Sequence, residues 1–243
     1  MIVYYRNEIA ELLSSTVKPL PGTYLENIYD SSFELPVMFD KKKVTITGNY
    51  EHPDAAAVDS LCLGYTNGIS YKLKVYNGTK LEGSCSGIIK GRITIFNFDK
   101  PFFANKFKLT LEGLEDDDPL YLGYLFLGLK TVLPRFEVGP ETGEKLFSQS
   151  SRSFGGQVFG IRRKTLRSFS ANFPRITSEE REIFLDYIKS VLNIEPHIID
   201  PYYKAHDKFL PMYAALNIDD NKMPKLNENG FYYSTSLEWQ EAR

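Results

Sequence analysis

The chain has 243 residues, 29 Lys and Arg against 31 Asp and Glu, a formal net charge of −2 and 42% hydrophobic residues. That is enough for one large or two ordinary globular domains, and the mixed charges lack the basic footprint of a nucleic-acid-binding protein. The longest apolar run, around Leu120 to Leu133, is broken by glycines and Lys130 and falls short of the ~20 residues that a membrane helix needs.

Met1 to Ala10 carries Arg6, Asn7 and Glu8 where a signal peptide would need its apolar core, so synthesis in the cytoplasm is expected. The first half then reads as strand and turn. Lys43 to Gly48 alternates apolar and polar, as does Ser60 to Tyr65, which runs into the turn Thr66-Asn67-Gly68 and on to the alternating Ser70 to Tyr76. Asn77-Gly78 is a second turn. Gly91 to Phe96 and Ala104 to Leu111 alternate again, the latter with Phe107, Leu109 and Leu111 on one face. Strands at this regular spacing predict an antiparallel sandwich. Glu115, Asp116, Asp117 and Asp118 lack the glycine-punctuated spacing of a calcium loop and read as a solvated turn. Leu120 to Gly128, apolar on both alternations, predicts a strand covered on both faces.

From Pro134 to Arg152 the composition shifts to proline, glycine, serine and glutamine with little periodicity, which reads as a linker or an extended crossing arm. The expected boundary lies near Arg135, giving a sandwich over residues 1–135 and a smaller α+β domain over 136–243. The second domain opens on an expected hairpin: Val158, Phe159 and Ile161, a basic turn of Arg162, Arg163 and Lys164, then Leu166 to Phe173 with Arg167, Phe169, Ala171 and Phe173 on one side. Thr177 with Glu180 forms a capping box for one long helix, whose stripe is Ile183, Phe184, Tyr187, Ile188, Val191 and Leu192, with Asn193 as its stop. Strands follow, ending on the alternating run Phe231 to Trp239. Phe231 to Leu237 has neither charge nor proline, which predicts an open sheet edge able to pair with another copy of the chain.

Cys62 and Cys85 are too few for a disulfide framework or a zinc site, and both are expected to pack as small apolar residues, though a bridge between them stays open. His52, His197 and His206 are scattered and expected at the surface or in turns. No Gly-x-Ser-x-Gly, His-Glu-x-x-His, P-loop or dinucleotide fingerprint occurs, and nothing singles out a carboxylate pair such as Glu112 with Glu137, so no enzyme, cofactor or metal is expected.

Leu25-Glu26-Asn27-Ile28, Val44 to Gly48, Asp59 to Asn67 and Tyr71 to Asn77 resemble a galactose-binding-like (discoidin-like) jelly roll. Phe107 to Gly113 with Leu122 to Gly128, and the second half from Ser153 to Gly160 through the helix, Ile198 to Pro201 and Leu237-Glu238, resemble tail-associated proteins of phages and prophages. The resemblance implies a non-enzymatic structural component of a tail or baseplate. Its partners would be other tail proteins and copies of itself, and its destination the virion after cytoplasmic synthesis. In distal tail proteins the two modules come in the opposite order. The alternative is a carbohydrate-binding or adhesion protein that recognises surface glycans, with Tyr65, Asn67 and Tyr71 near a loop as ligand-binding residues.

Overall fold

A computed structural model describes residues 1–8, 12–29, 35–49, 55–113, 119–137, 141–152, 158–191, 196–202, 210–217, 225–226 and 232–242. The chain divides into two compact units, Tyr4–Thr131 and Val132–Ala242, the latter joined by Met1–Val3. The fold is mainly β, a jelly-roll sandwich and an α+β unit with one long helix.

Strand β1 (Ile2–Tyr4) opens the chain and joins the sheet of the helix-bearing unit. The sandwich unit then runs through β2 (Leu12–Ser15), a single 3-10 turn at Leu25–Ile28, β3 (Val37–Phe39), β4 (Lys43–Asn49), β5 (Ala56–Thr66), β6 (Ser70–Asn77), β7 (Lys80–Ile88), β8 (Ile93–Ala104), β9 (Lys106–Glu112) and β10 (Leu120–Gly128). Two antiparallel sheets result, one ordered β3-β10-β5-β8 and the other β2-β4-β9-β6-β7. Their inner faces interdigitate: Val44 and Ile46 of β4, Leu73 and Val75 of β6 and Phe107, Leu109 and Leu111 of β9 share one core with Val58, Leu61 and Leu63 of β5 and Leu122, Leu125 and Leu127 of β10. Alternation along the strands produces this, since every second side chain meets the facing sheet. Gly48 lies opposite Phe107 in the register, where a Cβ would collide with the phenylalanine ring. Gly83 gives the same clearance to the ring of Phe102, so bulky and absent side chains alternate to fill the layer.

Both cysteines are buried as free thiols, Cys62 on β5 and Cys85 on β7 in the other sheet. The acidic turn at residues 115–118 lies outside the described residues.

The helix-bearing unit comprises β11 (Thr131–Val132), β12 (Glu141–Arg152), β13 (Val158–Ile176), α1 (Ser178–Val191), β14 (His197–Asp200), β15 (Met212–Asn217), β16 (Lys225–Leu226) and β17 (Tyr233–Glu241), with the sheet order β11-β1-β14-β15-β17-β13-β12 and β16 paired to β17. The capping box forms as expected: the Glu180 N–H donates to Thr177 Oγ1 at 3.2 Å and the Thr177 N–H to Glu180 Oε2 at 2.9 Å. Phe184, Tyr187, Ile188 and Val191 are buried, whereas Ile183, expected in the stripe, is 44% exposed. Leu192 and Asn193 lie outside the described residues.

Four expectations are corrected here. Glu141–Arg152 is not a linker but a strand, paired with β13 from Glu141 opposite Ser170 to Arg152 opposite Val158 with one register shift between Leu146 and Ser148, opposite Arg162 to Thr165; its polar composition suits an edge strand, which has no apolar alternation to display. The hairpin turn at Arg162, Arg163 and Lys164 does not exist, because β13 runs unbroken through them. The terminal strand is no open edge: β17 lies inside the sheet between β13 and β15, with Phe169 opposite Trp239 on one side and Leu216 opposite Trp239 on the other. Glu238 to Gln240 pair on both sides, with β13 and β15, and β16 pairs with Tyr233 and Ser234, so absence of proline there suits strands inside a sheet. His197 is buried rather than superficial, 2% exposed on β14; His52 and His206 lie outside the described residues.

Candidate functional site

The outer face of the five-stranded sheet carries the most distinctive constellation in the sandwich unit. Because β4, β9 and β6 bury their even-numbered, odd-numbered and odd-numbered residues respectively, the remaining residues stand in cross-strand rows on the outside. Lys43, Glu112 and Ser70 form the first row, and Thr45, Thr110, Lys72 and Ser86 the second. Ser14, Thr47, Lys108, Lys74 and Ser84 form the third, and Asn49, Lys106, Tyr76 and Leu81 the fourth. An open concavity of about 560 Å³ lies over this face, lined in part by Thr45, Lys72, Lys74, Tyr76, Lys108 and Thr110.

The first row is electrostatically settled. Lys43 Nζ sits 2.6 Å from Glu112 Oε1, and Ser70 Oγ donates to Glu112 Oε2 at 3.3 Å. Hydrogen bonding and charge attraction from Lys43, with a smaller contribution from Ser70, hold the Glu112 carboxyl below its ordinary range. In the second row the hydroxyls of Thr45 and Thr110 lie 2.9 Å apart. The third row places Lys74 directly opposite Lys108, a like-charge juxtaposition that costs stability in a sheet. Among the described residues Lys72, Lys74, Lys106 and Lys108 have no ion-pair partner. Glu82, in the bulge of β7, is held by Lys80 at 2.8 Å.

Beneath this face the groups are inert. Burial pushes the Cys85 thiol up to about 12, against a smaller downward effect of a backbone hydrogen bond at Leu73, and burial also raises the Tyr71 phenol. Of the residues expected near a ligand, Tyr71 is 6% exposed in the core cluster and also borders the concavity. Asn67 donates from Nδ2 to the Pro119 carbonyl at 2.9 Å and accepts from the Tyr121 N–H at 2.9 Å. Tyr65 holds a left-handed backbone, φ 54°, at the end of β5, where its N–H donates to the Arg92 carbonyl. Such a conformation costs ~1–3 kcal/mol and persists because the surrounding turn is over-determined. The three residues lie along β5, the following turn and β6.

In the helix-bearing unit several polar side chains are buried against one another. Trp239 Nε1 donates to the Tyr187 hydroxyl at 2.8 Å, and that hydroxyl lies 2.7 Å from His197 Nε2, all three being buried. The only tryptophan is thus unable to stack on a sugar. Arg167, set by the alternation on the side of Phe169 and Phe173, binds Glu241: its Nη2 lies 3.3 Å from Oε1 and its backbone N–H donates to Oε2 at 3.1 Å. Among the described residues no group of three or more His, Cys, Asp or Glu can hold a metal, and no helix is long and apolar enough to cross a membrane. No catalytic constellation is assembled among them.

Compared as a sequence, the chain matches no family model and no curated protein. Its structure is similar to chitosan-binding module 1 of a chitosanase/glucanase from Paenibacillus sp. IK-5, at 14% identity and a TM-score of 0.41 over 50% of this chain and 98% of that one. It is also similar to the family 32 carbohydrate-binding module of C. perfringens NanJ in complex with galactose, at 14% identity and 0.42 over 54% and 100%. A third is reduced XRCC1 bound to the DNA polymerase β catalytic domain, at 11% and 0.41 over 50% and 96%. Identities and scores of this size leave function to be argued from the chain's own residues.

The expectation of a phage or prophage tail component, with tail proteins and further copies of the chain as partners, is corrected. The strand on which the assembly argument rested has neighbours in the sheet on both sides, β13 and β15. What misled was a resemblance built on strand-and-turn patterns, which many unrelated sandwiches share.

Proposed function

We propose that the protein is a non-catalytic carbohydrate-binding protein that holds a glycan against the outer face of its five-stranded sheet. The observation that carries this reading is the concavity of about 560 Å³ lined by Thr45, Ser70, Thr110, Tyr76, Glu112 and lysines. A sugar presents hydroxyls that both donate and accept. The Ser and Thr hydroxyls do the same, the lysines only donate, and an ionised Glu112 only accepts. Tyr76 adds a partly exposed ring for the apolar face of a pyranose. Regular strands hold these groups, so few rotamers are lost on binding.

The test is a glycan array followed by calorimetry on the full chain. Binding is expected, with Tyr76→Ala and Thr110→Val each weakening it about three- to tenfold. Tyr24→Ala is the control: that ring is 64% exposed beside a separate concavity of about 340 Å³ formed by residues 18–26, and its loss should leave affinity unchanged. Absence of binding to any glycan, or affinity lost in Tyr24→Ala and kept in Tyr76→Ala, removes this reading of the face.

A further inference from the structure

We infer that the glycan is anionic, a polysaccharide bearing carboxylate or sulfate groups; this rests on the reading above and narrows it. Lys72, Lys74, Lys108 and Lys106 form a diagonal stripe over three consecutive rows, Lys72 in the second, Lys74 and Lys108 side by side in the third, and Lys106 in the fourth beside Tyr76. Rows on one face repeat every two residues, about 6.6–6.8 Å, so the stripe extends roughly 13 Å along the strands. That suits an extended chain carrying several charges better than a single sugar.

Three features give the stripe its sign. Its lysines have no ion-pair partner among the described residues. The carboxylates on the same sheet are already engaged, Glu112 with Lys43 and Glu82 with Lys80. The central pair, Lys74 opposite Lys108, is mutually repulsive until an anion lies between them. A face evolved only for solubility would intersperse signs; here positive charge is segregated on a chain whose net charge is −2. The neighbouring hydroxyls of Thr45, Thr47, Ser84 and Ser86 stand in the same rows, so bonds to the hydroxyls of the ligand accompany those to its charges. That combination selects an acidic glycan over an anion without hydroxyls.

The experiment compares polygalacturonate, dextran sulfate, neutral dextran and inorganic polyphosphate as ligands of the full chain. Binding is expected for either or both acidic glycans and not for dextran. It should weaken as salt rises from about 0.05 M to about 0.5 M, and fall about tenfold or more in the triple variant Lys72→Gln, Lys74→Gln, Lys108→Gln. All three lysines are at least partly exposed, and a melting temperature of the variant no lower than that of the parent shows that its fold is intact. Response to polygalacturonate alone or dextran sulfate alone identifies which group is read. Equal binding of dextran and the acidic polymers, indifferent to the triple variant, overturns the anionic class and leaves the glycan reading standing. Polyphosphate bound as tightly as the glycans overturns it too, since the face then reads charge alone. Failure of every glycan, on the array as here, removes both.

Discussion

In the helix-bearing unit Trp239, Tyr187 and His197 satisfy one another in the core, and Glu241, 3% exposed, is matched by Arg167. In the sandwich unit the shared core is apolar, and four lysines stand outside it without ion-pair partners among the described residues. A buried polar group must be paired or it destabilises the fold, so the first pattern is explained by stability alone. Exposed lysines set against each other gain nothing for stability, and the second pattern is the one that the proposed glycan binding explains. Substitutions should therefore cost folding in the first set and binding in the second.

The largest effect belongs to the core that both interpretations take for granted. Phe107→Ala should destabilise the sandwich unit by about 3–5 kcal/mol, measured by urea unfolding, because the ring lies over Gly48 and its removal leaves a void that no neighbouring side chain fills. Glu241→Ala should cost about 2–3 kcal/mol in the same assay, because it removes the buried carboxylate that accepts from the Arg167 guanidinium and backbone N–H. A cost no greater than that of an exposed ion pair would break the contrast from the side of the helix-bearing unit. Trp239→Phe removes the donor to Tyr187 and part of the packing against Phe169, and about 2 kcal/mol is expected from denaturant-induced loss of circular dichroism.

On the other side of the comparison, Lys74→Gln should leave stability unchanged or raise it by about 0.2–1 kcal/mol, since it relieves the cross-strand repulsion with Lys108. A clear loss would mean that this lysine serves the fold. The smallest effect concerns pH. The Glu112 carboxyl is depressed below its ordinary 4.5 by Lys43, so its stabilising contribution is fully present above that value and is lost as pH falls through the lower, folded value. Carbon-13 NMR titration of the Glu112 carboxyl should show its midpoint move back up in Lys43→Met; an unmoved midpoint would detach Lys43 from the carboxylate.

Much of this was legible along the chain. The alternation in Lys43 to Gly48, Ser70 to Tyr76 and Phe107 to Leu111 assigns each residue to a buried or an outer face before any partner strand is known, and Thr177 with Glu180 marks the start of α1. Strands without apolar alternation were not legible: β7, reading Lys-Leu-Glu-Gly-Ser-Cys-Ser-Gly-Ile, and β12 are edge strands whose composition resembles loop. In β13 the basic residues looked like a turn because local signals cannot reveal a strand of 19 residues that pairs with β12 along its first part and with β17 along its last.

The sequence by itself determined that the chain is mainly β, that one capped helix interrupts the second half, and that lysines at positions 72, 74, 106 and 108 share the polar sides of their strands. Only the tertiary structure decided that β6 lies beside β9 in a register that sets Lys74 against Lys108, that β17 is central, and that His197, Tyr187 and Trp239 meet in a core. The reason is physical: periodicity records whether a residue faces water, a property of one strand, whereas neighbours and register depend on how distant segments pair, and the same alternating pattern is compatible with many pairings.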